Sequence, residues 1–565
     1  MAITEALEAN PAYERHNQIL QASSDVHGNS GEDRACYTAA RASDKRTRTL
    51  PLPVGTARAV GKAPRPLIVV DANPTRDPKD RSLDPEEADG LRRAARFGVM
   101  ALVMRSMVLQ VAGFAGSVAL ARLLDPSDFG VFAIVQFALS FFTFFGDAGL
   151  GGSLIRQKHQ PTQRELSSAF YFQLALAFVV MLVVFLAANG VRWAWPNLPS
   201  GAVWLMRILA VDILLVALRI VPSILLERQL AFGKLAVLEV AAQLVFLGTA
   251  IALAALGHRA WSLGIAVLAQ GMVGVVGAFV LRPWWPSLVW DGGALKPILK
   301  FGIIYQMKNI VGFINGAITP VFAGIKLGPH ALGLVNWARE TGWYPLRFVE
   351  ITSRVTYPIY SRLHEDRRVF LDTLEGSIGN AALVTFFFVG LFLGLGHQIT
   401  AVVYGDKWLP AVPMFYAYAA AISIGFLSPI VGAAFDASGR PGVLARLAIG
   451  WTALNWVVVP ITTHAWGMYG FAYGFLVHVV VGNAAVVIML RRWLPDVRLW
   501  VRIRGNLAAA VGTAVISHVC FSPWANRLPS LVLALALSSL VHLALLVVVD
   551  RPAVLSLYAI VRRRP

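Results

Sequence analysis

From Phe97 onward the chain alternates long apolar runs with short polar connections rich in Lys and Arg. Each run is close to the ~20 residues that a helix needs to cross a bilayer core. The pattern predicts about fourteen spanning helices, over 97–121, 129–152, 167–188, 202–221, 235–256, 260–281, 299–323, 334–359, 376–395, 411–433, 443–461, 467–490, 505–521 and 530–549. The implied fold class is an all-α polytopic membrane protein. Residues 1–92 lack sustained periodicity and contain polar stretches such as Pro74-Thr75-Arg76-Asp77-Pro78-Lys79-Asp80-Arg81. That composition predicts a disordered tail, because it cannot bury a core. It has no basic start followed by a short apolar run, so insertion is expected to begin at the first span.

The spans repeat. Leu124-Asp125-Pro126-Ser127-Asp128-Phe129-Gly130, between the first two spans, is echoed about 203 positions later by Leu327-Gly328-Pro329-His330-Ala331-Leu332-Gly333. Gly257-His258-Arg259-Ala260-Trp261 opens the sixth span and Gly467-Met468-Tyr469-Gly470 the twelfth, while Pro222 and Pro429 fall near the ends of the fourth and tenth. The unit is six helices. An even unit puts both halves in the same orientation about an axis along the membrane normal, with the last two helices as an appendix. The expected divisions are a cytoplasmic tail at 1–92, bundles at 93–298 and 299–492, and two extra helices with a basic tail at 493–565.

Composition agrees with this reading: 56% apolar and 15% charged residues exclude a soluble globular chain of 565 residues. A net charge of +18 would suit nucleic acid if it were concentrated, but the basic residues are spread through the connections, so no nucleic-acid partner is expected. With the first helix starting in the cytoplasm, connections on that side carry roughly 22 Lys and Arg against about 6 on the other. Both termini are then expected to be cytoplasmic. Cys36 and Cys520 alone give neither a disulfide framework nor a Cys-based metal site, and no cofactor or metal is expected.

Charge inside spanning helices is costly, so it faces a protein interior or a wet cavity. The eighth span carries Glu340, Arg347, Glu350 and Arg354 on one stripe, with Pro345 and Pro358 where the helix could bend. The stripe reads either as a cavity lining or as internal pairing of Glu350 with Arg347 and Arg354. The fourth span adds Arg207, Asp212 and Arg219, the last near enough to one end to snorkel. Arg105, Lys308, Asp147 and Glu239 complete the set. Basic residues predominate, which favours anionic cargo such as a diphosphate. On the seventh span Tyr305, Lys308, Asn309, Gly312, Asn315, Gly316 and Thr319 form a polar face that would suit a sugar, or would pack helix on helix.

At Ala121-Arg122-Leu123-Leu124-Asp125-Pro126-Ser127-Asp128-Phe129-Gly130 and Gly146-Asp147-Ala148-Gly149-Leu150-Gly151-Gly152-Ser153-Leu154-Ile155-Arg156-Gln157 the chain resembles a known family. It is the polysaccharide transporter branch, with Wzx-type flippases, of the multidrug/oligosaccharidyl-lipid/polysaccharide exporter superfamily. Tyr357-Pro358-Ile359-Tyr360-Ser361-Arg362-Leu363 looks like the equivalent segment in the second half, and the resemblance covers about 95–495. It implies two six-helix bundles around a central cavity and alternating access in the bacterial cytoplasmic membrane. The implied cargo is a polyprenyl-diphosphate-linked oligosaccharide for lipopolysaccharide, exopolysaccharide or capsule biosynthesis. Membrane lipid, a polysaccharide polymerase and assembly proteins are the implied partners.

In that setting Arg105, Arg207, Lys308, Arg347 and Arg354 are expected to attract the diphosphate and Asn315 the sugar. Asp212, Glu239 and Glu350 are the candidates for ion coupling. The family it resembles has, in many members, an acid in the seventh helix where this chain has Thr319, which puts a coupling role at that position in doubt. No catalytic residue is expected. A membrane glycosyltransferase would have to use Asp125 and Asp128, which read better as the start of a helix, and no outer loop is long enough for the acceptor site that it or a polymerase needs. A cation-coupled multidrug antiporter of the same superfamily fits a basic interior less well.

Overall fold

In the computed structural model, the backbone is described for residues 85–146, 149–157, 159–293, 295, 296, 299 and 310–549. Side chains are described from Met104 onward, except at 145, 146 and 156. The expected tail, apart from its last residues, lies outside this range, as do Asp147, Tyr305, Lys308 and Asn309. The described residues form the predicted all-α membrane fold. Its helices are α1 (Pro85–Leu123), α2a (Pro126–Gly146), α2b (Leu150–Arg156), α3 (Gln163–Ala187), α4 (Gly201–Arg228), α5 (Phe232–Ala255), α6 (Ala260–Leu281), α7 (Ile310–Ile318), α8a (Gly324–Gly342) and α8b (Tyr344–Leu363). They continue as α9 (Arg367–Gln398), α10a (Val412–Gly425), α10b (Leu427–Ala437), α11 (Pro441–Trp466), α12 (Met468–Trp493), α13 (Leu499–Ile516) and α14 (Leu528–Val549). The first helix begins at Pro85, inside the stretch read as tail, with proline at the helix start where its missing N–H costs nothing.

Thirteen described helical runs are long and apolar enough to cross a membrane. The difference from fourteen lies in α7 and α8. The run Ile310–Gly342 includes the reversal at Gly328, whose φ of 79° and ψ of 175° end one helix and start the next, and α8b carries too much charge to qualify. The eighth span is therefore two helices rather than the continuous one predicted. Pro345, at the start of α8b, has no N–H to donate and its ring crowds the preceding turn, so the helix stops at Gly342 and restarts after Trp343. Pro358 stays within α8b.

The six-helix repeat appears in the packing. In the first half α1 packs on α5, α5 on α6, α6 on α4 and α4 on α3; in the second, α7 packs on α11, α11 on α12, α12 on α10a and α10a on α9. The turns repeat as well. After α4, the Ala231 N–H bonds Leu226 O around Leu230 (φ 54°); after α10b, the Arg440 N–H bonds Phe435 O around Gly439 (φ 70°). Both are helix ends closed through a left-handed residue. Before α6, Arg259 has φ 45° and ψ −135°; before α12, Gly467 has φ 56° and ψ −136°.

The halves meet along α2a and α8a, and here the two echoed hairpins touch one another. A Cβ on Gly130 would overlap the carbonyl of Pro329, and one on Gly333 would overlap the carbonyl of Pro126. The paired glycines let two backbones approach about the pseudo-twofold axis. Two seams flank that contact, α1 against α8 and α7 against α2a. The membrane face bearing these hairpins is called the hairpin face, and the other, which carries the Lys and Arg excess, the basic face. On the basic face the Arg228 guanidinium donates to the carbonyls of Leu154, Gln157 and His159, closing the C-terminal end of α2b with a cation. Buried Glu375 of α9 accepts the Arg498 N–H at 2.8 Å and pairs with Arg502, fastening the start of α13. Helices α7, α9 and α13 each end toward the hairpin face in a π-helical turn, at Thr319–Ala323, Ile399–Tyr404 and Ser517–Phe521.

Candidate functional site

The hairpin face is sealed between the halves. The Trp408 indole, fully buried, donates to Ala121 O at 3.0 Å, Lys407 Nζ to Arg122 O at 2.9 Å, and Arg122 Nε to Val403 O at 2.8 Å. Phe129, Trp337, Tyr404 and Phe415 complete an aromatic block around this contact. The same device recurs on the other seam, where the Trp195 indole donates to Pro320 O at 3.0 Å. Within the first half, Arg259 holds Asp125 and Asp128 at 3.3 and 3.2 Å. Asp128 in turn accepts the Asp125 N–H at 3.1 Å, the helix-starting role expected of these acids.

Toward the basic face the α1–α8b seam changes character. Its innermost contact is Tyr344, whose hydroxyl donates to Gln110 O at 3.3 Å and whose ring meets Phe114 edge-on at 5.6 Å. Beyond it, α1 exposes Met104, Met107 and Val111, and α8b exposes Phe348, Ile351 and Val355. Beside these apolar stripes run the charged ones. Arg105 of α1 pairs with Glu239 of α5. Arg347 sits 4.9 Å from the Tyr344 ring centroid and pairs with Glu340 at 3.2 Å across the α8 break, while Glu350 and Arg354 lie exposed on the same helix. Charge against apolar surface at one mouth can take an amphiphile: an ionic head on the guanidinium side and hydrocarbon on the other.

The structure divides the sequence-predicted residues among several places. Arg105, Glu239, Arg347, Glu350 and Arg354 belong to this half of the membrane. Arg105 lies about 27 Å along α1 from the hairpin face, at 1.5 Å per residue. Arg207 lies only about 9 Å into α4 from that face. There it is stacked on Phe185 and Trp204 and bonded to Phe185 O at 3.3 Å, so it does not join the others. Asp212 and Arg219 face α6, fitted against Gly271 and Gly274 inside the first half. Asn315 accepts from Asn455 Nδ2 at 3.1 Å, which ties α7 to α11. Lys308 lies outside the described residues. Thr319 lies 3.4 Å from Arg339, and Arg339 also pairs with its neighbour Glu340.

Tyr344, Gln110 and Arg339 were not among the residues read from the sequence. Tyr344 had a legible signal, since it stands three positions before Arg347 and four after Glu340 on the charged stripe. Gln110 contributes a backbone carbonyl, which no side-chain pattern announces.

A twofold helical repeat, sealed on one face and charged at the mouth of a seam on the other, defines a multi-pass membrane protein built from two similar helical bundles. A family model described as polysaccharide biosynthesis protein matches residues 119–413. The chain belongs to that family, and the resemblance read from the hairpin motifs is borne out. The teichuronic acid biosynthesis protein TuaB of Bacillus subtilis is 27% identical over 309 residues, covering 54% of this chain and 62% of TuaB. The succinoglycan biosynthesis transport protein ExoT of Rhizobium meliloti is 27% identical over 316 residues, 55% and 62% of the two chains. The lipopolysaccharide biosynthesis protein WzxC of Escherichia coli is 20% identical over 423 residues, 72% and 85%. The chain thus spans 62% of the length of each of the first two. Among solved structures, the lipid II flippase MurJ in an inward closed conformation superposes with a TM-score of 0.66 at 12% identity, covering 80% of this chain and 100% of MurJ. It shares the fold.

Proposed function

We propose that the protein is a transporter, not an enzyme, and moves a polyprenyl-diphosphate-linked oligosaccharide from the cytoplasmic to the outer leaflet of the bacterial cytoplasmic membrane. The basic face is then cytoplasmic, in keeping with the excess of Lys and Arg there, and both termini lie inside. The working halves are 93–298 and 299–492, with 493–565 as an appendix. The observation that carries the reading is the α1–α8b mouth, where Arg105 and Arg347 stand beside apolar stripes under a sealed hairpin face. ExoT, a relative, is named as a transport protein of succinoglycan biosynthesis.

The diphosphate displaces Glu340 from Arg347 and Glu239 from Arg105, because two negative groups compete for each guanidinium. Glu239 and Glu340 are thereby the acids whose charge must be met elsewhere when cargo binds, which makes them candidates for ion coupling, together with Glu350 on the same helix as Arg347 and Asp212 near Arg219. Arg354 extends the basic stripe, Lys308 adds a further cation for the diphosphate, and Asn315 offers its amide to the sugar. Parting the hairpin face and closing the basic face completes alternating access.

The test is deletion of the gene followed by analysis of lipid-linked sugar. Lipid-linked oligosaccharide retained in the cytoplasmic leaflet, with exported polymer lost, supports flipping; unchanged polymer, or loss of the lipid-linked sugar itself, removes it. Within the protein, Arg347→Glu abolishes export while leaving folded protein at the normal level in the membrane. Normal export in that variant takes Arg347 out of the site.

A further inference from the structure

The two seams share a design and differ in what fills them. Each is latched at the hairpin face by an indole from one half donating to a backbone carbonyl of the other, Trp408 to Ala121 and Trp195 to Pro320. At the α1–α8 seam the space beneath the latch is plugged: Trp408 is fully buried, and Trp337 and Tyr404 pack against each other there. At the α2a–α7 seam the corresponding space is hollow. A cavity of about 620 Å³ lies between α2a, the α3–α4 connection, α7 and α11. It falls within the roughly 300–1,000 Å³ of small-molecule sites.

Its lining is apolar almost throughout. Phe313 of α7 stacks on Phe137 at 5.8 Å and on Phe144 at 5.2 Å, giving flat walls. The indole of Trp195 at one end is already committed to Pro320 and that of Trp456 to Ile314 O at 2.9 Å. Neither calls for a polar ligand, so a sugar or diphosphate has nothing to bind there. The rim residues Phe141, Ala187, Ala194 and Ile314 are exposed on spanning segments, so the cavity opens sideways into the bilayer. Its lining runs from Trp195 at the hairpin face to Phe142, about 24 Å down α2a from that face. The hollow therefore opens in the leaflet on the hairpin side and reaches past the midplane, about 15 Å from either face.

We propose that this cavity is a binding site for the isoprenoid chain of the lipid-linked cargo in the leaflet that receives it. The inference rests on the function proposed above and makes the path two-sided. The headgroup and chain enter at the α1–α8b mouth on the basic side, and the chain is received at the opposite seam on the hairpin side. The seam that bounds the cavity is one of the two that part when the hairpin face opens, so a chain lodged there lies beside the exit. Flat aromatic walls suit a chain of planar double bonds, and a hollow bordered by lipid with no polar demand suits hydrocarbon alone.

The experiment uses the full chain in lipid nanodiscs with a polyprenyl diphosphate carrying a photoactivatable diazirine at its far end. The expected result is labelling of 137–142, 187–195 or 313–321 that unlabelled polyprenyl diphosphate displaces. Ala187→Trp and Ala194→Phe, which fill the cavity from its exposed rim, abolish this labelling and slow export several-fold. Their melting temperatures stay at that of the parent, as does that of Leu540→Trp on the lipid face of α14, which keeps its labelling. Equal labelling by a diazirine phosphatidylglycerol that polyprenyl diphosphate cannot displace means ordinary membrane lipid and overturns the proposal. Displaceable labelling confined to Met107 and Phe348 at the α1–α8b mouth overturns it too, while leaving the proposed function standing. No displaceable labelling anywhere in the chain overturns both.

Discussion

Arg259 occupies a backbone conformation that its repeat-mate assigns to glycine. At φ 45° and ψ −135° an L side chain is strained by about 1–3 kcal/mol, and Gly467 holds the same angles without a Cβ. What holds Arg259 there is its pair of contacts with Asp125 and Asp128, whose exposed members limit them to about 0–1 kcal/mol each. The two effects are of similar size, which gives a discriminating prediction. Arg259→Ala keeps most of the strain and loses both contacts, so it destabilises by up to about 2 kcal/mol. Arg259→Gly loses the contacts and the strain together and stays within ~1 kcal/mol of the parent. Thermal unfolding in detergent checks it, and an alanine variant as stable as the glycine variant removes the strain argument.

At the scale of the element, the echoed hairpins proved more than punctuation. Their sequence signals were legible as turn and helix-start residues, and their spacing as a repeat. That Gly130 and Gly333 each receive the other hairpin's proline carbonyl was not legible, because a close approach of two backbones separated by some 200 positions leaves no periodicity to read. The same reason hid the break in α8: the charged stripe continues from Glu340 to Arg347 as if the helix were whole, and only Pro345 spoke against it. The contact at the glycines is tight enough to predict its failure. Gly130→Ala puts a methyl group on Pro329 O and holds the hairpins apart. A disulfide between cysteines introduced at Ser127 and His330 then forms several-fold more slowly than on the parent background, measured by gel mobility. Unchanged cross-linking means that the hairpins do not need the glycine to close.

For the molecule as a whole, sequence reading reached the class, the repeat and the charged helices. It did not sort the charges by depth, because Arg105 and Arg207 look alike in a string and sit toward opposite faces of the membrane. It also passed over the hollow seam, whose walls are ordinary apolar residues. The arrangement predicts one-sided access. Met107→Cys and Val355→Cys, at exposed positions of the α1–α8b mouth, react with an impermeant maleimide in inside-out vesicles and are protected in intact cells, by at least about an order of magnitude, as expected for bulk water against membrane-excluded sites. Labelling of the same cysteines from outside the cell reverses the orientation proposed here.

The π-helical turns at the ends of α7, α9 and α13 bear on how such a molecule could open. Each winds one residue more into its turn than an α-helix would. If the turn tightens to α geometry, the chain beyond it advances by about 1.5 Å and swings through roughly 100° without a broken backbone ladder. Among the described residues, the six helices of the first half hold no such reserve. The slack is all on the hairpin side of the second half and its appendix, so one half has the spare length to move and the other supplies the wall it moves against.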